Sequence, residues 1–351
     1  RRAMLPSCLP VRAFFFLHVV LRAGMGRGAG GRADASVGGA AVCVSGSLRD
    51  ALRPLGPLVA TWPDAKVLFR QLPEAERSAF LRLANGTSLS ALDTVHRFLY
   101  PSLGRFDVFM YVAIKPDGAV IANETAAALR LRRDALAACR AFAPADASRP
   151  LVCDGGWDRR VPHTEMGLAS EEEADRFRAL WAPRKTHDIE PFLWQLQGMT
   201  RCNAMIREAE AAARAEYEWI VRVRADLVFF APFPPLATLR RPHRAVYIRA
   251  NPNGIRRWGG NADIFYLGPA PLMHELLDCL HDCGQMRHDV LGRWFNGEIF
   301  MEHCMTHVHS GYFEELDGLR MHPYRYRTLR QDVHGGLRLH RLRRKNVRWR
   351  G

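Results

Sequence analysis

The stretch Tyr217-Glu218-Trp219-Ile220-Val221-Arg222-Val223-Arg224-Ala225-Asp226-Leu227-Val228-Phe229-Phe230 narrows the possible folds more than any other part of the chain. Trp219, Val221 and Val223 alternate with Ile220, Arg222 and Arg224, the period of a strand buried on at least one face. Ala231-Pro232-Phe233-Pro234-Pro235 follows and cannot continue inside a sheet. Alternation puts Arg222, Arg224 and Asp226 in one row on one face. Two arginines in an apolar strand are costly to bury without partners, which favours a site over a structural Arg–Asp pair at the sheet edge. A strand that carries fixed positive charge and delivers a carboxylate at its carboxyl end suits an anionic ligand. Open α/β sheets bind their ligands at that end.

Strand and helix patterns alternate on the N-terminal side of this stretch. Ala40-Ala41-Val42-Cys43-Val44 is a short apolar run that stops at Ser45-Gly46-Ser47 and gives way to a helical pattern from Leu48. Helices are expected around 74–84 and 90–99, a central strand over Phe106–Ile114, a helix from Thr125 to Phe142 and a further strand at 150–153. Asp154-Gly155-Gly156-Trp157 reads as a loop. Ser170-Glu171-Glu172-Glu173 reads as a capping box opening a helix to Trp181. A longer helix over 191–215 places Phe192, Leu196, Met199, Cys202, Ile206 and Ala213 on one side, to pack on the sheet and lead into the Arg-rich strand. Beyond Pro235 come strands at 244–249 and 263–268, a Gly/Asn-rich loop between them, and helices at 271–283 and 296–307. This alternation predicts an α/β fold with a mostly parallel central sheet flanked by helices, Rossmann-like in class.

At 351 residues the chain can bury a full core in one large domain or two smaller ones. Its formal charge of +14 is concentrated at the two ends. Residues 1–32 hold six Arg and no acid, and residues 325–350 hold nine Arg and Lys345 against one Asp, so the middle is near neutral. The expected organisation is a targeting or disordered segment over 1–38, a domain over 39–324 and a basic tail over 325–351. The tail reads as solvated, or as touching acidic membrane or polysaccharide, and no nucleic-acid partner is expected. Ala13–Leu21 behind Arg12 resembles a signal-peptide core, too short to span a bilayer, so that membrane association would run through a missing or weak N-terminal anchor. Two sequons, at Asn85 and Asn123, fit a secretory lumen. Among eight cysteines, Cys139 and Cys153 are placed to bridge a loop, whereas Cys43, Cys202 and Cys304 sit in apolar patterns and read as small core residues.

Several residues have site chemistry. Ser45, Gly46 and Arg49, at a strand-to-helix turn, suit a diphosphate or the sugar and base of a nucleotide; an ordinary turn with Arg49 in water is the alternative. Asp226 at a strand end can hold a divalent metal, with Arg222 or Arg224 against a diphosphate. Asp263 and Glu298 are the carboxylates best placed to act on an acceptor hydroxyl, although Glu298 also suits a helix start through the dipole. His303 and His307 stand four apart beside Cys304 and His309, a spacing that can bind zinc. Cys279 and Cys283 share that spacing, but neither pair has an obvious complement.

The order of Ser45-Gly46-Ser47-Leu48-Arg49, a helix feeding YEWIVRVRADLVFF, then GGNADIFYLG and NGEIFMEH, resembles GT-A glycosyltransferases over about residues 40–325. It is similar in particular to a branch in which Arg-x-Asp replaces the usual Asp-x-Asp. The resemblance implies that Arg224-Ala225-Asp226 meets the nucleotide-sugar diphosphate and a metal, Mn²⁺ or Mg²⁺. A late histidine, His322 or His334, would be a further metal ligand. With Arg224 in place of the first carboxylate, diphosphate binding is better supported than metal binding. The implied activity is sugar transfer from a nucleotide sugar to a glycan or glycoprotein in the Golgi lumen. The alternative is a non-catalytic α/β module that binds glycans or partners.

Overall fold

The computed structural model describes residues 39–46, 73–86, 89–113, 151–156, 160–181, 189–239, 244–249, 265–285, 297–316 and 321–323. Four apolar runs meet side by side in parallel: β1 (Ala40–Gly46), β2 (Phe106–Ala113), β3 (Leu151–Gly156) and β4 (Trp219–Arg224). Chain order then adds β5 (Leu227–Phe229), β6 (Ala245–Arg249), β7 (Phe265–Pro269), β8 (Tyr312–Leu316) and β9 (Met321–Pro323). The main sheet has the order β3-β2-β1-β4-β7-β6-β8, and only β7 runs against its neighbours. β5 and β9 form a separate antiparallel pair. The fold is therefore α/β, with a seven-stranded, mostly parallel mixed sheet flanked by helices, compatible with the Rossmann-like class expected.

Helices cover both faces of the sheet, so β1 and β4 are buried on both sides, β4 with the charged Arg222 on one of them. The described helices are α1 (Glu74–Gly86), α2 (Ala91–Thr94), α3 (Glu171–Trp181), α4 (Glu190–Ala213), α5 (Ala270–Leu277) and α6 (Gly297–His303). Cys43, Ile220 and Tyr266 point to one core with Phe192, Leu196, Met199, Cys202 and Ile206 of α4. Val42, Val44, Val221 and Val223 point to a second core with Leu92, Val95, Leu99, Phe229 and Phe233. The α4 stripe is buried as expected apart from Ala213, which is exposed in the last turn, where Arg214 turns left-handed (φ 53°) and ends the helix. At the start of α3, Ser170 Oγ accepts from the Glu173 amide, while Glu173 reaches back to the Ala169 amide rather than to Ser170. The expected capping box is thus shifted by one residue on one side.

The stretch 217–230 does not form one strand. β4 ends at Arg224, the Ala225 amide donates to the Ser45 carbonyl at 3.0 Å, and the chain turns at Ala225-Asp226. β5 leaves the main sheet and pairs with β9, with its Phe229 amide on Thr94 Oγ1. Asp226 consequently lies in the turn and not on the strand face shared by Arg222 and Arg224. β3 runs through Asp154-Gly155-Gly156, read above as a loop. The helices at 271–283 and 296–307 are shorter than their patterns, passing into a 3-10 segment (Cys279–Gln285) and a π turn (Cys304–Val308). β8 was not expected, because Tyr312-Phe313-Glu314-Glu315-Leu316 lacks clean alternation and lies at a sheet edge.

Cys43 and Cys202 are not simply core residues but bond to each other, tying β1 to α4 with a Cα–Cα distance of 5.8 Å. Cys304 bonds to Cys279 at 6.1 Å between Cα atoms. Cys153 is also disulfide-bonded; the expected partner, Cys139, lies outside the described residues. Asn85 sits in the last turn of α1, whereas Asn123, the helix at 125–142, the 251–261 loop and the basic tail lie outside the described residues. Among the described residues no helix is long and apolar enough to cross a membrane.

Candidate functional site

Strand order fixes where a ligand site belongs. β1 has β2 on one side and β4 on the other, so the chain leaves β1 in one direction and later returns to its opposite flank. The gap between the carboxyl ends of β1 and β4 is the topological switch point, the usual crevice for ligands in this class. Ser45 and Gly46 end β1 there, and Arg224, Ala225 and Asp226 end β4 beside them, with Ser45 in register with Arg224. Gly46 has φ +136°, a conformation that side chains rarely adopt, and a Cβ there would lie 3.6 Å from Arg224 Cγ. The absent side chain keeps the backbone open next to the aliphatic stem of Arg224.

Arg224 holds Asp226 with both arms of its fork, Nε to Oδ1 at 2.5 Å and Nη2 to Oδ2 at 2.9 Å, and both side chains are about 15% exposed. Bidentate pairs of this type fix geometry as well as charge. The pair uses one acceptor site on each oxygen of Asp226 and places the Arg224 guanidinium at the rim, where it suits an anion. Arg222 lies one pleat deeper, fully buried, with its guanidinium carbon 5.6 Å from the centre of the Tyr266 ring. A cation over an aromatic face is electrostatically favourable, and here it adds positive potential from beneath the site.

Register extends the site across the sheet. Asp154 on β3, Tyr111 on β2, Ser45 on β1 and Arg224 on β4 form one lateral row close to the carboxyl ends. Ser45 is buried, and its hydroxyl makes no hydrogen bond among the described residues. Over this row α4 approaches closely at Gly198, where a Cβ would stand 3.3 Å from Ser45 Cβ and 3.6 Å from Tyr111 Cδ1. Tyr111 and Asp154 were missed from the sequence. Their signal is a polar residue near the end of an otherwise apolar strand, but only the pairing shows that both align with Ser45.

The remaining expected residues divide by position. Phe265 opens β7 opposite Val223, so β7 enters the sheet at the edge where β4 ends; Asp263 and Arg49 lie outside the described residues. Glu298 is in the first turn of α6. The α6 residue Phe300 packs edge-to-face on Phe192 in the first turn of α4, which brings α6 to the same end of the sheet. His322 pairs through its backbone with Val228, two residues past Asp226; His334 lies outside the described residues. Of the His303–His307 pair, His303 is buried and the His307 side chain lies outside the described residues. Among the described residues Cys279, Asp282, Cys304 and His309 bring ligand atoms within 4.8 Å of one another, a group that could hold a metal ion.

No protein-family model matches this chain, and no curated protein matches it. The functional reading therefore rests on the site itself.

Proposed function

We propose that the chain is a nucleotide-sugar-dependent glycosyltransferase of GT-A-like fold, acting on a glycan or glycoprotein in the secretory pathway. The observation that carries this reading is the juxtaposition of Ser45-Gly46 with the Arg224–Asp226 pair at the β1/β4 switch point. A diphosphate leaving group gains negative charge as the bond to the sugar breaks. A pre-positioned guanidinium at a partly dry rim stabilises that charge more than water does. Arg224 takes this role, its fork matching two phosphate oxygens, and Asp226 holds the fork in orientation until the donor arrives. Gly46 lets the diphosphate approach the backbone. The Asp154 carboxylate accepts from the nucleoside hydroxyls.

The mostly parallel sheet with one reversed strand, and the Arg-x-Asp segment at the carboxyl end of a central strand, support the GT-A-like reading. Neutralisation by Arg224 makes the donor site one that works without Mn²⁺ or Mg²⁺ at Asp226. Asp263 and Glu298 remain the candidates to accept the acceptor proton in an inverting reaction.

The reading is tested by incubating the full chain with UDP- and GDP-sugars and glycan acceptors and measuring nucleoside diphosphate release and sugar transfer. Activity that disappears in Arg224→Ala and Asp226→Ala supports it, and unchanged activity in both variants contradicts the site. Nucleotide binding with no release or transfer is the outcome expected of the non-catalytic module.

A further inference from the structure

Behind α4, and separate from the β1/β4 edge, a second group of side chains converges. Cys279 and Asp282 come from the 3-10 segment after α5, and Cys304 and His309 come from the π turn after α6 and the residue that closes it. Both cysteines and Asp282 are buried, and the His309 side chain is 18% exposed. The sulfurs are bonded to each other. Around them Asp282 Oδ2 stands 3.5 Å from Cys304 Sγ and 2.8 Å from His309 Nε2. We propose that this disulfide is the oxidised form of a zinc site with two thiolate, one imidazole and one carboxylate ligand.

Three features of the cluster support the assignment beyond its composition. Tetrahedral zinc places its ligand atoms roughly 3.3–3.8 Å apart, given Zn–S near 2.3 Å and Zn–N and Zn–O near 2.0–2.2 Å. All four ligand atoms already lie within 4.8 Å of one another, so small side-chain movements close the shell. Asp282 Oδ1 accepts from Gln285 Nε2 at 3.0 Å, which fixes the carboxylate and leaves Oδ2 turned inward. His309 Nδ1 faces Glu275 Oε2 at 3.7 Å. In the disulfide form Nε2–H donates to Asp282 Oδ2; on metal binding the ring passes to the tautomer protonated on Nδ1, the side facing Glu275, which leaves the Nε2 lone pair for the metal.

A dithiol transfers two electrons and two protons to the Cys279–Cys304 bond and itself becomes a disulfide, leaving two thiols. Zinc then forms two Zn–S bonds, one bond to His309 Nε2 and one to Asp282 Oδ2; the two thiol protons leave to solvent, and the Nε2 proton is lost as Nδ1 takes one up. The turn after α5 and the turn after α6 are cross-linked in either state, by sulfur–sulfur when oxidised and by zinc when reduced.

The test uses the full chain, reduced with a dithiol, desalted without oxygen and titrated with Co²⁺, whose tetrahedral thiolate complexes absorb in the visible. The expected result is one equivalent of Co²⁺ bound with thiolate charge-transfer and tetrahedral d–d bands, displaced by Zn²⁺. His309→Ala should weaken Co²⁺ binding at least about tenfold, the Cys279→Ser/Cys304→Ser pair should abolish the bands, and Cys43→Ser/Cys202→Ser should retain them. As a second readout, Zn²⁺ should raise the Tm of the reduced wild-type chain and not that of the reduced Cys279→Ser/Cys304→Ser chain. Reduced wild-type chain that gives no bands and no Tm shift overturns the proposal, as do bands that persist in Cys279→Ser/Cys304→Ser.

Discussion

Arg224 and Asp226, two residues apart, close on each other through two parallel hydrogen bonds of 2.5 and 2.9 Å where β4 leaves the sheet. The pair exists because the strand stops: the Ala225 amide turns to the Ser45 carbonyl, and Asp226 folds back toward the guanidinium. A fork held in this way is already oriented when an anion arrives, so Arg224→Ala should weaken nucleoside diphosphate binding by about tenfold or more, the equivalent of about 1.5–3 kcal/mol for a charged hydrogen bond. Arg224→Lys should not restore it, because an ammonium lacks the planar two-armed geometry. Isothermal titration of both variants with UDP and GDP measures the effect.

Gly46 should not tolerate a side chain. Its φ of +136° is a conformation that strains any other residue, at about 1–3 kcal/mol. Gly46→Ala should therefore lower Tm and also weaken nucleotide binding beyond the stability loss, since the new methyl group stands beside Arg224. Gly104→Ala is the control: it too has a positive φ, but no atom lies within 4 Å of the added carbon, and it is remote from the β1/β4 edge. It should affect Tm alone.

The Cys43–Cys202 bond joins residues separated by 159 positions and fastens α4 over β1. Cross-links that close long loops restrict the unfolded chain strongly, and loss of one costs about 2–5 kcal/mol. Cys43→Ser/Cys202→Ser should lower the urea midpoint accordingly. It should also loosen Gly198 from Ser45, detectable as faster amide exchange at the end of β1.

Cys283 is the free cysteine among the described residues, and burial pushes its thiol well above the ordinary range. The thiolate is the reactive form, so raising pH from about 7 to about 9 should not speed its alkylation in the native protein. Mass spectrometry of the Cys283 peptide should show modification only after denaturation. Modification in the native state would contradict the burial.

Much of the fold could be read from the chain because buried strands and helices leave periodic patterns. The apolar runs at Ala40–Val44 and Trp219–Val223 and the stripe from Phe192 to Ile206 all appear where their periods place them. What could not be read depends on tertiary pairing. The turn at Asp226 is set by a hydrogen bond from the Ala225 amide to Ser45, on a neighbouring strand far away in sequence, and the departure of β5 is set by β9. Tyr111 and Asp154 join the site only through the register of β2 and β3 with β1. The disulfides were hidden for a related reason: Cys43 and Cys202 fit apolar stripes on two different elements, and only helix-on-sheet packing brings their sulfurs together.

The central claim is that the β1/β4 edge binds a nucleoside diphosphate through Arg224 without a divalent metal. Its most direct test is a thermal-shift titration of the wild-type and Arg224→Ala chains with UDP and GDP in excess EDTA, repeated with Mn²⁺. The expected result is a saturable rise in Tm for wild type in EDTA with at least one of the two nucleotides, little changed by Mn²⁺ and absent in Arg224→Ala. A rise that appears only with Mn²⁺, or that is equal in both chains, would contradict it.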